Sequence, residues 1–155
     1  MLLRVASRRA VAASRRQLTV AVTGASGYVG SYITEELLKR GHDVRALVRG
    51  CDTNAEKAAH LQALPGAERL TLIDGGDLSI QGSFEAGLAG ADAVVHAAAT
   101  VVIGRDPSIA SAAVDGVENV LSSLPATCKT FVLTSSIAAV ISLDKASLTF
   151  DEDDW

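Results

Sequence analysis

Three glycines spaced by three, Gly24, Gly27 and Gly30, stand in the run Thr23–Gly30, T-G-A-S-G-Y-V-G. The run joins a Val- and Thr-rich segment to one with helical periodicity. At such a junction glycine adopts dihedrals that other residues resist, lets backbone approach a pyrophosphate closely, and lets helix pack tightly on strand. The N-terminus of the following helix adds unpaired N–H groups and the positive end of its dipole. Glycines after a strand can also simply make a turn, and a glycine pattern alone is weak evidence. Its place between strand and helix gives it weight, and makes Gly24, Ser26, Gly27, Tyr28, Val29 and Gly30 a candidate phosphate-binding turn.

A second chemical choice lies at the end of the next strand. In a dinucleotide site an acidic residue there hydrogen-bonds a ribose 2′-hydroxyl, whereas an arginine accepts a 2′-phosphate. This chain offers Arg49, with no Asp or Glu between Val44 and Cys51. A guanidinium matches phosphate in a two-pronged geometry, so NADP is favoured over NAD. Arg45, on the same strand, reads as an exposed strand residue. Ala97, Ala98 and Ala99 follow a later apolar run; their small side chains would let a cofactor lie against backbone, or could simply be core.

Metal chemistry finds no support. Cys51 and Cys128 are far apart and form no C-x-x-C pair, and His42, His60 and His96 share no ligand spacing. The cysteines suit a reducing compartment.

The elements that must position these residues alternate strand and helix. Gln17–Thr23 reads as a buried strand and Ser31–Arg40 as a helix of about three turns that Gly41 stops. Asp43–Arg49 is a second strand, Thr53–Leu64 a helix, Leu70–Ile73 a third strand and Ser83–Leu88 a short helix. Ala91–Ala98 is a fourth, almost wholly apolar strand, as suits a parallel sheet covered on both faces. Pro107–Leu124 is helical with Ile109, Ala113, Val117 and Leu121 as its expected apolar stripe, and Phe131–Ser135 is a fifth strand. Right-handed crossovers then predict an α/β fold with a doubly wound parallel sheet of order 3-2-1-4-5, truncated after about five strands, its ligand outside the carboxyl ends of the strands.

Composition bounds the alternatives. At 155 residues, 48% hydrophobic and 21% charged, the chain suits one globular domain rather than disorder. Its apolar stretches fall far short of the ~20 residues that span a bilayer. Met1–Arg16 carries five arginines and no acidic residue, so the rest of the chain is more acidic than the overall −4. That start resembles an organelle transit peptide; a disordered tail or a misplaced start codon would read the same way. Residues 1–16 are therefore set apart, and 17–155 taken as an NADP-binding domain incomplete at its C-terminus. The location expected is cytoplasmic, with mitochondrion or another organelle the alternative that the arginines raise. The acidic remainder argues against a nucleic-acid partner, which needs a basic face.

The glycine spacing, T-G-x-x-G-x-x-G, resembles that of the extended short-chain dehydrogenase/reductases, the NAD-dependent epimerase/dehydratase family. Six blocks in order, TGASGYVGS, VRALVRG, GDLSIQGSF, HAAAT, VENVL and TSSIAAV, are most similar to the dihydroflavonol reductase and cinnamoyl-CoA reductase group. The resemblance covers roughly Leu18–Trp155 and is looser toward nucleotide-sugar epimerases and hydroxysteroid dehydrogenases. It implies that Lys57 joins Arg49 at the phosphate and that Asp77 and Leu78 hold the adenine edge and face, although an Asp after a strand is often only a helix cap. It implies further that Ser136 is the catalytic serine that orients a substrate carbonyl. A tyrosine with a lysine four residues later would then exchange the proton.

That Tyr-x-x-x-Lys pair is absent here. The only tyrosines, Tyr28 and Tyr32, are followed four residues on by Tyr32 and Glu36. In the resembling proteins the pair lies beyond an acidic stretch like Asp151–Trp155, so the chain reads as the N-terminal part of a reductase. Three functions stay open: part of an NADP-dependent reductase of a carbonyl or CoA-ester substrate, a non-catalytic NADP-binding or sensing protein, and a fragment of a nucleotide-sugar epimerase. A small-molecule substrate is expected only for an intact parent, and no membrane partner.

Overall fold

The computed structural model describes residues 16–99, 106–141, 149 and 151. The arginine-rich start up to residue 15 and the C-terminal residues 152–155 lie outside the described residues. Five strands, β1 (Thr19–Thr23), β2 (Asp43–Leu47), β3 (Leu70–Ile73), β4 (Ala93–His96) and β5 (Thr130–Leu133), form one parallel sheet in the order β3-β2-β1-β4-β5. This is the doubly wound arrangement expected from the alternation of elements. Val22 pairs with Ala46 on one side and Val95 on the other, which brings the carboxyl ends of β1, β2 and β4 to one edge.

Alternation along the strands sends side chains into two cores. Val20, Val22, Val44 and Ala46 face α1 (Tyr28–Lys39) and α2 (Glu56–Gln62), where Leu38 and Leu61 are fully buried. Ala21, Leu47 and Val94 face α3 (Glu85–Leu88) and α4 (Pro107–Ser122), with Phe84, Leu88 and Val120. Each fully buried Leu or Phe stabilises the fold by about 1.5–3 kcal/mol, so the two layers hold the strand ends rigidly in place.

The ends of the elements explain where they differ from expectation. Helix α1 begins one turn early, at Tyr28, because Gly27 already stands in extended conformation as its N-cap. It ends in a Schellman motif: Gly41, at φ +82°, donates to Leu38 O and His42 donates to Leu37 O. Helix α2 begins later than Thr53, because residues 50–53 are committed to a turn and the Asn54 side chain accepts from Glu56 N. Helix α4 starts where Asp106 Oδ1 accepts from Ser108 N, ahead of Pro107 at its first turn.

Two expectations need correction. The stripe Ile109–Ala113–Val117–Leu121 is not the buried face of α4: Leu121 is 44% exposed and Ala113 is exposed, whereas Gly116, Asn119, Val120 and Ser123 are buried. The helix is turned to present small and polar residues to the loop after β3, a demand hydrophobic periodicity cannot register. Arg45 is not a free surface residue either. Its Nε donates to Gly87 O at 2.9 Å and its Nη2 to Ala86 O at 3.1 Å, which satisfies carbonyls near the end of α3.

Candidate functional site

The turn after β1 is built by close approach. Gly24 takes φ +66°, and a Cβ there would lie 2.7 Å from Ala98 N. Gly27 N donates to Gly24 O at 3.0 Å, and a Cβ on Gly30 would lie 2.1 Å from that same oxygen. Gly24 and Gly30 are thus required by packing, one against the chain leaving β4 and the other against the turn itself. Gly27 is different: its Cβ would meet only Gly24 O, at 3.3 Å, and its surface is open. Among the described residues no side chain caps the N-terminus of α1, so its first N–H groups are left for a ligand or water to satisfy. An anion fits such a cradle.

Beneath the turn, Thr23 Oγ1 lies 2.6 Å from His96 Nδ1 in a fully buried contact. The same oxygen accepts from Ala98 N at 3.3 Å. Thr23 therefore ties the end of β1 to the end of β4 and to the alanines beyond it. Burial pushes the His96 imidazole below its ordinary pKa, and its ring stacks on Phe131.

On the other side, β2 ends in Arg49, 69% exposed along its side chain, and a tight turn at Gly50, φ +69°. Asp74, just past β3, holds that turn: its Oδ1 accepts from Gly50 N at 2.6 Å and its Oδ2 from Asp52 N at 3.3 Å. Lys57 on α2 returns to the same place and donates to Arg49 O at 3.2 Å. Cys51, Asp52 and Asp74 bring potential ligand atoms within 4.8 Å of one another, but both Asp74 oxygens are already occupied by backbone N–H groups. Burial, with the two carboxylates adding to it, pushes the Cys51 thiol up. The group closes a turn.

Asp77 faces Arg49, with Nη1 to Oδ2 at 3.4 Å. Its Oδ1 accepts from Ser79 N and Ser79 Oγ, and these bonds, more than the arginine, hold its carboxyl below the usual range. The carboxylate is thus both the cap of a local turn and a wall of the site.

These parts enclose one cleft of about 570 Å³ at the carboxyl ends of β1–β4. Gly24, Ser26 and Gly27 line one side, Arg49 and Lys57 another, and Asp77, Leu78 and Ala97–Ala99 the rest. Gly30 is buried within the turn, so it shapes the cleft without lining it. Tyr28 and Val29 line a separate groove of about 650 Å³ beside α1, where Tyr28 stacks edge-on against Tyr32. Only their main-chain N–H groups belong to the turn. Ser136 lies past the end of β5, outside the cleft lining, exposed, with its Oγ accepting from Ala138 N.

The sequence reading missed three residues that hold this cleft: His96, Asp74 and Asn119. A histidine or aspartate at a strand end was legible as a residue in the right place, but its partner lies on another strand. Asn119 stood in the VENVL block with nothing to mark its role, since its partners stand 37 to 42 residues away in the chain.

A doubly wound parallel sheet with a three-glycine turn at the point where strand order reverses defines a Rossmann-type domain. The chain belongs to the NAD dependent epimerase/dehydratase family, which matches residues 20–154. It is 37% identical over 142 residues to dihydroflavonol 4-reductase of Arabidopsis thaliana, covering 88% of this chain and 37% of that protein. Vestitone reductase from alfalfa superposes with a TM-score of 0.67 at 32% identity, over 80% of this chain and 38% of the other. The yeast methylglyoxal/isovaleraldehyde reductase complexed with NADPH gives 0.73 at 29% identity, over 89% and 44%. The chain thus spans about two fifths of the length of the relatives it matches, 37% to 41% of the dihydroflavonol reductases. Among the described residues, no helix is long and apolar enough to cross a membrane.

Proposed function

We propose that this chain is the dinucleotide-binding part of an NADP-dependent oxidoreductase that reduces a carbonyl or CoA-ester substrate. One observation carries the reading: the glycine turn, the Arg49–Lys57 pair and the Asp77–Leu78 segment converge on a single cleft at the switch point of the sheet. In this reading residues 17–155 are one nucleotide-binding unit behind a Met1–Arg16 tail.

Each part has a role set by its chemistry. The N–H groups of Ser26, Tyr28 and Val29 hold the pyrophosphate at the start of α1, over the open surface of Gly27. Arg49 and Lys57 neutralise the 2′-phosphate. Asp77 and Leu78 take the adenine edge and face, and Ala97–Ala99 present backbone to the middle of the cofactor. The bound nicotinamide supplies or accepts the hydride. Ser136 uses its Oγ as acceptor for Ala138 N, which leaves its O–H to donate to a substrate carbonyl and fix its orientation.

An epimerase would more naturally carry an acidic residue where Arg49 stands. Titrating the purified chain with NADPH and NADH tests the proposal. NADPH should bind at least tenfold more tightly; equal affinities would remove the NADP assignment, and no binding of either would remove the dinucleotide reading.

A further inference from the structure

We infer that Asn119, on α4 and outside the cleft lining, is a positioning residue that sets the base preference of the adenine end. Its amide reaches into the loop after β3 and replaces the pairing that strand or helix would have given that loop. Oδ1 accepts from Gly82 N at 3.0 Å, while Nδ2 donates to Ile80 O at 2.5 Å and faces Leu78 O at 3.4 Å and Asp77 O at 3.5 Å. One buried side chain, 8% exposed, thus bonds both ends of the segment that carries Asp77 and Leu78. A second contact supports it. Gly116, one turn earlier on α4, has no Cβ where one would stand 3.2 Å from Leu78 Cβ, so the loop sits directly on the helix.

Among the described residues, the other polar contact that reaches Asp77 from outside its own loop is the long one to Arg49 at 3.4 Å. Ser79 and Ser83, its other partners, move with the loop. Asn119 therefore decides where the Asp77 carboxylate stands relative to a base seated on Leu78. An ionised carboxylate there accepts from the 6-amino group of adenine and repels the 6-carbonyl of hypoxanthine.

The inference rests on the dinucleotide reading, and the test separates the two. Affinities of the chain for NADPH and for its hypoxanthine analogue are measured in wild type, Asn119→Asp, Gly116→Ala and Arg49→Ala. Wild type should prefer adenine by about tenfold. Asn119→Asp keeps the shape and the acceptor for Gly82 N but turns a carboxylate oxygen toward three carbonyls, so NADPH binding should weaken about tenfold and the preference fall toward one. Gly116→Ala, which displaces Leu78, should lower the preference without altering any polar group and serves where Asn119→Asp does not fold. Arg49→Ala should weaken both ligands alike and keep the ratio. A folded Asn119→Asp or Gly116→Ala chain with the wild-type ratio overturns the inference, as does a wild type that binds NADPH without base preference; a chain that binds no NADPH ends the parent reading instead.

Discussion

Thr23 and His96, on neighbouring strands and 73 residues apart in the chain, share a buried hydrogen bond of 2.6 Å beneath the glycine turn. The contact joins β1 to β4 at the point where strand order reverses, and burial favours the neutral imidazole there. Burial lowers the His96 pKa below the unfolded value of about 6.5. Above that value both states hold the ring neutral and the fold keeps its full stability. As pH falls below it, the unfolded chain takes up a proton that the fold resists, and stability drops until the folded pKa is passed. The melting temperature should therefore fall on acidification from about pH 6.5, and His96→Gln should flatten that slope. The losses from Asp77 and Asp106, both held below the ordinary carboxylate range, belong to a separate window near and below about pH 4. A His96→Gln melting profile as steep as wild type between about pH 6.5 and about pH 4 would remove this account.

The three glycines should not respond alike. Gly30→Ala places a methyl 2.1 Å from Gly24 O, a backbone atom that cannot swing aside, and should cost on the order of 3 kcal/mol in denaturant unfolding. Gly27→Ala meets its nearest atom at 3.3 Å and should leave stability within about 1 kcal/mol while weakening dinucleotide binding. Equal losses of stability in the two variants would mean that the turn's glycines serve backbone conformation alone.

Arg49 stands 3.4 Å from Asp77, too far for a strong ion pair and 69% exposed along its side chain, so it can turn to a phosphate at little cost. Arg49→Ala should lose about 1.5–3 kcal/mol of NADPH affinity, roughly 10- to 150-fold, with NADH affinity nearly unchanged. Lys57→Ala should show the same selectivity at smaller size, because the ammonium contacts as a point charge rather than a fork. Calorimetric titration of both cofactors reads the difference. If NADH weakens as much as NADPH, Arg49 is not the 2′-phosphate residue.

The order of the sheet and the place of the glycine turn were legible because strand and helix periods, together with the handedness of crossovers, leave few arrangements. Arg49 could be named for the same reason, since it stands just past the end of a strand that the topology brings to one edge, whereas Lys57, Asp77 and Leu78 were named through the family resemblance. What connects them was not legible. Arg45 binds carbonyls on a helix 41 and 42 residues away, and the Asn119 amide reads like any polar residue on a helix until the loop it faces is known. The buried face of α4 was misjudged on the same ground, since Gly116 and Asn119 meet the loop after β3 rather than an apolar core. Periodicity reports burial among apolar groups and is silent where a helix is seated on a loop.

Asp74 gives the last test, because it links stability to cofactor choice. Its two oxygens hold Gly50 N and Asp52 N, and the turn they close carries Arg49 on one side and receives Lys57 on the other. Asp74→Ala hands two exposed backbone donors to water, at about 0.5–1.5 kcal/mol for each bond lost, which for a domain of this size lowers the melting temperature by several degrees. Asp74→Asn keeps one acceptor oxygen, turns the other position into a donor facing a donor, and should fall between the two. The cofactor effect is the sharper one. A loosened turn frees Gly50 from φ +69° and lets Arg49 and Lys57 drift apart, so both variants should lose affinity for NADPH more than for NADH. Melting curves and paired titrations on the same preparations decide it: lowered stability with an unchanged NADPH-to-NADH ratio would make Asp74 a turn residue and nothing more, because the cations would then keep their places without it.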